Sequence, residues 1–192
     1  TKGFSKAAPI AVNLDLEHLT KGEVTISSSA IDEQSYEVSS LEGSVFSTNW
    51  IMGLRGAGDV NRDGKVSLFE VYSHAYDHTV NYTSQELNTT QHPSYNMELT
   101  GAHDIVLTSP SLSSHGVLFK DFPLGTYTIF NATTQHTVGD MRITQTGEHI
   151  LALPSGSYLL TTHSKDGRTL EQELSVDTHM TNVSYHSFVY KK

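Results

Sequence analysis

Asp59-Val60-Asn61-Arg62-Asp63-Gly64-Lys65-Val66-Ser67-Leu68-Phe69-Glu70 sets oxygen-bearing side chains at positions 1, 3, 5, 9 and 12 of the stretch, with glycine at position 6. That is the ligand order of a calcium loop. Ca2+ takes roughly six to eight hard oxygens. Asp59, Asn61 and Asp63 offer short side chains, Lys65 its carbonyl, Ser67 a direct or water-bridged contact, and Glu70 a bidentate carboxylate. Gly64 suits the sharp turn, where a Cβ would be strained. Glu70 falls inside the helix that follows, so a bound metal ties loop to helix. The plainer alternative is an acidic turn ahead of an amphipathic helix. A single loop does not name a function, because a second, paired loop is missing.

Working outward, the preceding residues read as mixed α and β. Glu23–Ser27 is a β-branched run between Gly22 and a serine cluster, hence a strand ending in a loop. Ser39 to Glu42 holds cap-type residues, after which Phe46, Trp50 and Leu54 recur at helical spacing. Beyond the calcium-type loop, Leu68, Tyr72, Ala75 and Thr79 share one face of a second helix running to about Tyr82. Ser84–Pro93 reads as a polar loop, and Asp104–Thr108 as a further strand of the same sheet. Strand, helix, helix, strand is one half of an open α/β sheet.

From Pro110 the texture changes. Val117–Phe119, Thr126–Phe130, His149–Leu153 and Ser157–Thr162 are short strands separated by turn residues. Gly139-Asp140 and Lys165-Asp166-Gly167 read as hairpin turns. Leu124-Gly125-Thr126-Tyr127 and Ser155-Gly156-Ser157-Tyr158 echo one another. The expectation is an α/β domain over 1–108 and a small all-β, sandwich-like domain over 109–192.

Composition bounds the function. The chain has 192 residues, room for a domain with a real core. Twelve Lys and Arg against 21 Asp and Glu give a formal charge of −9, which disfavours nucleic acid and anionic membrane as partners. No apolar run approaches the roughly 20 residues of a membrane span. The start carries no basic-then-apolar signal segment. Cysteine is absent, which excludes disulfides, thiolate metal sites and a cysteine nucleophile within these residues. The sequons at Asn81, Asn88, Asn131 and Asn182 matter only in a eukaryotic secretory pathway.

Other chemistry is thinly represented. There is no G-x-S-x-G elbow for a serine nucleophile. His74 and His78 lie four apart on the second helix with Asp77 between them, but without the glutamate of H-E-x-x-H, so they read as a solvated face. His92 has no nucleophile to pair with and reads as structural. The serine cluster says more. Ser27–Glu37 follows a strand end, the place where open α/β sheets bind ligands. Its small hydroxyl residues leave backbone free for an extended peptide, and Asp32, Glu33 and Glu37 add negative charge, with Glu33 expected to face solvent.

Ser28-Ser29-Ala30-Ile31-Asp32-Glu33-Gln34-Ser35 resembles the metacaspase segment S-G-C-x-D-x-Q-T, which follows a core strand in that family. Gly43-Ser44-Val45-Phe46-Ser47-Thr48 resembles the start of the family's next helix. Gly53–Asp59, the calcium-type loop, Gln91-His92-Pro93-Ser94-Tyr95 and Gly101–Thr108 resemble, in order, the small-subunit half of bacterial caspase-like peptidases, in which a β-rich module often follows. The resemblance covers 1–108 well and 109–192 in texture only.

The resemblance implies a cysteine endopeptidase whose His–Cys dyad lies on a large-subunit chain, with the Cys a short way upstream of Thr1-Lys2-Gly3. Ser28, Ser29, Asp32 and Glu37 would then bind substrate. The family's pocket aspartate falls on Asp32, implying cleavage after Arg or Lys, and self-cleavage at Thr1 would place a basic residue before it. Ser29 and Ala30 depart from the family's Gly and Cys. The implied compartment is the bacterial cytoplasm or periplasm. A different class remains as the alternative: Gly58-Asp59-Val60-Asn61 also resembles the opening of a dockerin repeat, which would make the chain a non-catalytic calcium-stabilised binding module.

Overall fold

The structure, a computed structural model, describes residues 21–41, 43–100 and 104–191. Thr1-Lys2-Gly3, Glu42 and Gly101 lie outside the described residues. The described residues form a β-rich mixture of strands with two α-helices.

Strand β1 (Lys21–Ser27) runs into the serine loop, which closes through the short pair β2 (Glu37–Val38) and β3 (Gly43–Ser44). Helix α1 (Val45–Met52) starts at Ser44, whose Oγ accepts the Ser47 N–H at 3.1 Å. Leu54 falls past its end, in a wide turn over Gly53–Ala57. The two-residue strand β4 (Val66–Ser67) then leads directly into helix α2 (Leu68–Glu86), one turn longer than its apolar pattern suggests. Ser67 and Glu70 form a reciprocal capping box at its start. Its buried face is Leu68, Val71, His74, Ala75, Thr79 and Thr83.

Strand β5 (Ser94–Thr100) pairs antiparallel with β1, from Lys21 opposite Thr100 to Ser27 opposite Ser94. The sequence reading passed over β5, although Tyr95, Met97 and Leu99 alternate with polar residues along it. Strand β6 (Val106–Thr108) differs from expectation. It pairs with β4, and the Leu68 N–H donates to the Ile105 carbonyl at 2.7 Å. The segment expected in the open sheet instead sits where a calcium loop's partner would normally pair.

The remaining strands are β7 (Gly116–Lys120), β8 (Gly125–Asn131), β9 (Thr137–Ile143), β10 (Glu148–Leu151), β11 (Gly156–His163), β12 (Thr169–Val176), β13 (Met180–Val183) and β14 (Val189–Tyr190). They form a sheet ordered β10-β7-β13 and a second ordered β14-β12-β11-β8-β9. The two sheets share one core, built from Val117, Phe119, Ile129, Ile143, Leu151 and Leu160 among others. These two sheets packed as a sandwich agree with the β-rich texture expected beyond Pro110. The echo noted in sequence has a geometry: Tyr127 donates its hydroxyl to the Pro123 carbonyl at 2.9 Å, and Tyr158 to that of Pro154 at 2.8 Å. Each Pro-x-Gly-x-Tyr segment thus opens a core strand by tying a buried phenol four residues back.

Gly139-Asp140 is not a turn. It lies inside β9, and the chain reverses at Asn131–His136, where Asn131 Oδ1 accepts the Thr133 and Thr134 N–H groups. Gly139 is needed because Met52 of α1 enters the sandwich core against it. A Cβ there would lie 2.1 Å from Met52 Cγ, on backbone with φ of 146°. Gly139→Ala should therefore destabilise the chain by about 2–4 kcal/mol, combining overpacking with the positive-φ penalty. Thermal denaturation followed by near-ultraviolet circular dichroism reads this out, and a melting temperature within a degree of the parent would refute it.

Candidate functional site

The loop that leaves β1 is fixed at both ends by one buried side chain. Gln91 is fully buried, and its Nε2 donates to the Ser28 carbonyl at 2.7 Å while its Oε1 accepts the Tyr36 N–H at 3.1 Å. The Gln91 N–H in turn donates to Thr83 Oγ1 of α2 at 3.1 Å, and Tyr36 shares a hydroxyl contact with Thr89 at 3.2 Å. The amide therefore spans a loop whose ends are brought close on the carboxyl side of β1. Within it, Ser35 Oγ bonds to the Ser28 and Ser29 hydroxyls, and Ser94 Oγ reaches the Ser29 carbonyl at 3.4 Å.

Glu33 does not face solvent as expected. Its Oε2 accepts the His92 N–H at 2.5 Å, and its Oε1 the His92 Nδ1–H at 2.6 Å. These bonds, the ring's first, hold the Glu33 carboxyl below the ordinary carboxylate range. His92 is thus structural, as read, with an unforeseen partner. Asp32 and Glu37 are exposed, and Ile31 between the serines and Asp32 is wholly so. Of the four residues singled out for substrate contact, Ser28, Ser29 and Asp32 belong to this braced loop, and Glu37 opens β2 directly after it.

The Glu33–His92 contact carries a sign for pH. A carboxyl whose folded value lies below its ordinary 4.5 stabilises the fold fully above that value, and the stabilisation is lost as pH falls through the folded one. Below about pH 4.5 the parent should lose stability faster than Glu33→Gln, whose amide does not titrate. Melting curves of both proteins between pH 3 and 6 check this, and parallel curves would refute it.

The calcium-type loop is closed by its own side chains. Asp59 Oδ2 accepts the Gly64 N–H at 3.0 Å, Asn61 Oδ1 the Asp63 N–H at 2.8 Å, and Asp63 Oδ1 the Lys65 N–H at 2.9 Å. Gly64 adopts φ of 80°, as its place in the loop requires. The other oxygen of Asp59, Oδ1, is buried without a hydrogen-bond partner. Burial holds the Asp59 carboxyl above the ordinary range, and the Asp63 and Glu70 charges add to this. An orphaned carboxylate oxygen that feels the charges of two further carboxylates fits a hard cation such as Ca2+. Glu70 is turned onto Ser67, whose N–H and Oγ both reach its Oε2 at 3.0 Å. Among the described residues no three His, Asp or Glu side chains converge on one point. The calcium set includes three carboxylates, Asp59, Asp63 and Glu70, and binding would require Glu70 to turn from Ser67 toward the other two.

His74 and His78 are not on a solvated face. Their rings stack at 4.3 Å in a cleft of about 580 Å3 between α2 and the sandwich, which Asp59, Asn81 and Arg142 also line. Burial first, and the neighbouring His78 second, pull His74 down to about 3, so it is neutral at physiological pH. Gly53 makes room for this packing, because a Cβ there would sit 3.2 Å from the His74 ring. The sequence reading missed it because the wide turn that covers the helix carries no periodic apolar signal.

No helix among the described residues is long and apolar enough to cross a membrane. No family model matches this chain, and neither a curated protein nor a solved structure does so.

Proposed function

We propose that this chain is the small-subunit part of a caspase-like cysteine endopeptidase that cleaves after Arg or Lys. The observation that carries the reading is the braced loop. Gln91 pins both ends of Ser28–Tyr36 at the carboxyl end of β1, and Asp32 and Glu37 are left exposed around it. Such a loop can hold a peptide beside Ser28 and Ser29 and offer a carboxylate to a guanidinium. The resemblance of Ser28–Ser35 to the metacaspase segment supports the same assignment.

The chemistry would be attack by a cysteine thiolate on a peptide carbonyl, with a neighbouring histidine taking the thiol proton and later protonating the leaving amine. Both groups would come from the large subunit. This chain contributes the wall that orients the basic residue before the scissile bond. A partner chain also suits the surface. Beside β1, Ile26, Phe46, Trp50 and Ile51 line an apolar groove, and Ile51 is 47% exposed. Among the described residues β1 pairs only on its β5 side. A strand of the large subunit added there would cover the groove and satisfy the open edge.

Ca2+ at Asp59, Asn61, Asp63, Lys65, Ser67 and Glu70 would supply charge neutralisation and hold the entrance to α2. The dockerin-like alternative draws less support, since a dockerin pairs two such loops and here β6 takes the partner's place against β4. Assay of the assembled two-subunit enzyme on fluorogenic peptides tests the proposal. Cleavage after Arg and Lys, abolished by thiol alkylation of the large subunit, is expected. Cleavage after Asp, or activity indifferent to alkylation, would overturn it.

A further inference from the structure

The residues of the calcium-type loop that are not ligands have a use of their own. Val60, Arg62 and Gly64 occupy positions 2, 4 and 6, between the expected ligands at 1, 3, 5 and 7. Each of the three bonds to the chain beyond β6. The Val60 carbonyl accepts Gln145 Nε2 at 3.3 Å. Arg62 donates Nη1 to the Thr146 carbonyl and Nη2 to Gln145 Oε1 at 3.3 Å. The Gly64 carbonyl accepts the Ser111 hydroxyl at 2.7 Å and the Ser111 N–H at 3.3 Å. Ser111 lies in the connection from β6 to β7, and Gln145 and Thr146 in the turn from β9 to β10.

Two glycines keep these approaches open. A Cβ on Gly64 would lie 2.6 Å from Ser111 Oγ, and one on Gly147, itself at φ of 120°, would push Arg62 Nη1 from its place at 2.6 Å. Arg62 itself holds φ of 61°, a conformation that a non-glycine residue adopts at a cost unless its surroundings fix it. The loop is thus held from outside at alternate residues, at the Val60 and Gly64 carbonyls and at the Arg62 side chain.

We propose that the loop is a calcium latch: metal binding on its inner positions and docking of the sandwich on its outer positions order the same peptide units and so reinforce one another. The proposal rests on the calcium reading given above. The physical basis is shared ordering. Fixing a backbone residue costs roughly 1–2 kcal/mol, and whichever event comes second finds the cost already met. Reciprocity follows, so the factor by which the sandwich contacts tighten Ca2+ binding equals the factor by which Ca2+ tightens docking.

The test uses the full chain and Ca2+ alone. Calorimetric titration gives Kd for the parent, for Arg62→Ala with Ser111→Ala, and for Gln145→Ala, a milder change at the far side of the latch. No substitution touches an expected ligand. Kd is expected to weaken about fivefold or more in the double variant, within the ordinary range of such couplings. Limited proteolysis of the β6–β7 connection supplies the second reading: Ca2+ should protect it in the parent and not in the double variant. Equal Kd values in parent and variants, with equal protection, would overturn the latch while leaving the calcium site standing. A parent chain that binds no Ca2+ would overturn both.

Discussion

Calcium at a hundred times its Kd should raise the melting temperature of this chain by about 5–10 °C, from roughly 2.7 kcal/mol of ligand-linked stabilisation and about 2–4 °C per kcal/mol at this length. The gain arises because the folded loop gathers Asp59, Asp63 and Glu70 against their own repulsion, whereas the unfolded chain does not. Asp59→Asn and Glu70→Gln should each remove most of the increment. Glu70 also caps α2, so its replacement lowers the starting point as well. The informative quantity is therefore the difference between melts in EGTA and in calcium, not either value. Glutamine retains an acceptor for the Ser67 N–H, which limits the damage to the cap. Coincident parental melts in EGTA and in millimolar calcium would end the calcium assignment.

On the proposed peptidase reading, Asp32→Ala in the two-subunit complex should lower kcat/KM on Arg substrates by roughly 30- to 4,000-fold, the equivalent of the 2–5 kcal/mol lost when one partner of a desolvated charge pair is removed. Asp32 is exposed in the chain alone, so the loss should be felt only once substrate covers it. Between Asp32 and Glu37 the loop holds carboxylates and no base, and an acidic substrate residue would meet like charge with nothing to neutralise it. Glu37→Ala should have a smaller effect of the same sign. Glu33→Gln should act differently, disturbing the loop through His92 without removing a pocket charge. Profiling on peptides with Arg, Lys and Asp before the scissile bond separates these cases. An Asp32→Ala enzyme with full activity on Arg substrates would refute the pocket assignment.

How far such features could be read from sequence depends on whether their cause is local. Helix α1 and the Lys165–Gly167 turn have neighbours in sequence as partners and were legible, although the cap of α1 is Ser44 and not within Ser39 to Glu42. Strand β5 carried a readable alternation of Tyr95, Met97 and Leu99 that was passed over. The braces were a different matter. Gln91 meets Ser28 from 63 residues away, and Arg62 meets Gln145 from 83. No periodicity announces such contacts. Gly139 misled for the same reason, since glycine beside aspartate is a good turn signal, whereas here it answers to Met52, a side chain from another element. His74 and His78 were misplaced because an exposed helix and one covered by a turn share the same spacing.

The parallel pairing of β13 with β7 has a consequence for synthesis. Gly116 aligns with Met180, so the sheet's central strand lacks one neighbour until residues more than sixty positions later have been made. Pairings of this span are slow to form, and until they form the apolar faces that will become the sandwich core stay open to other chains. The emerging chain therefore cannot complete this half piecemeal on the ribosome. Met52 waits with it, because its place in the shared core does not yet exist. A break anywhere before β13, whether by premature termination or by a protease, should cost far more than the residues it removes.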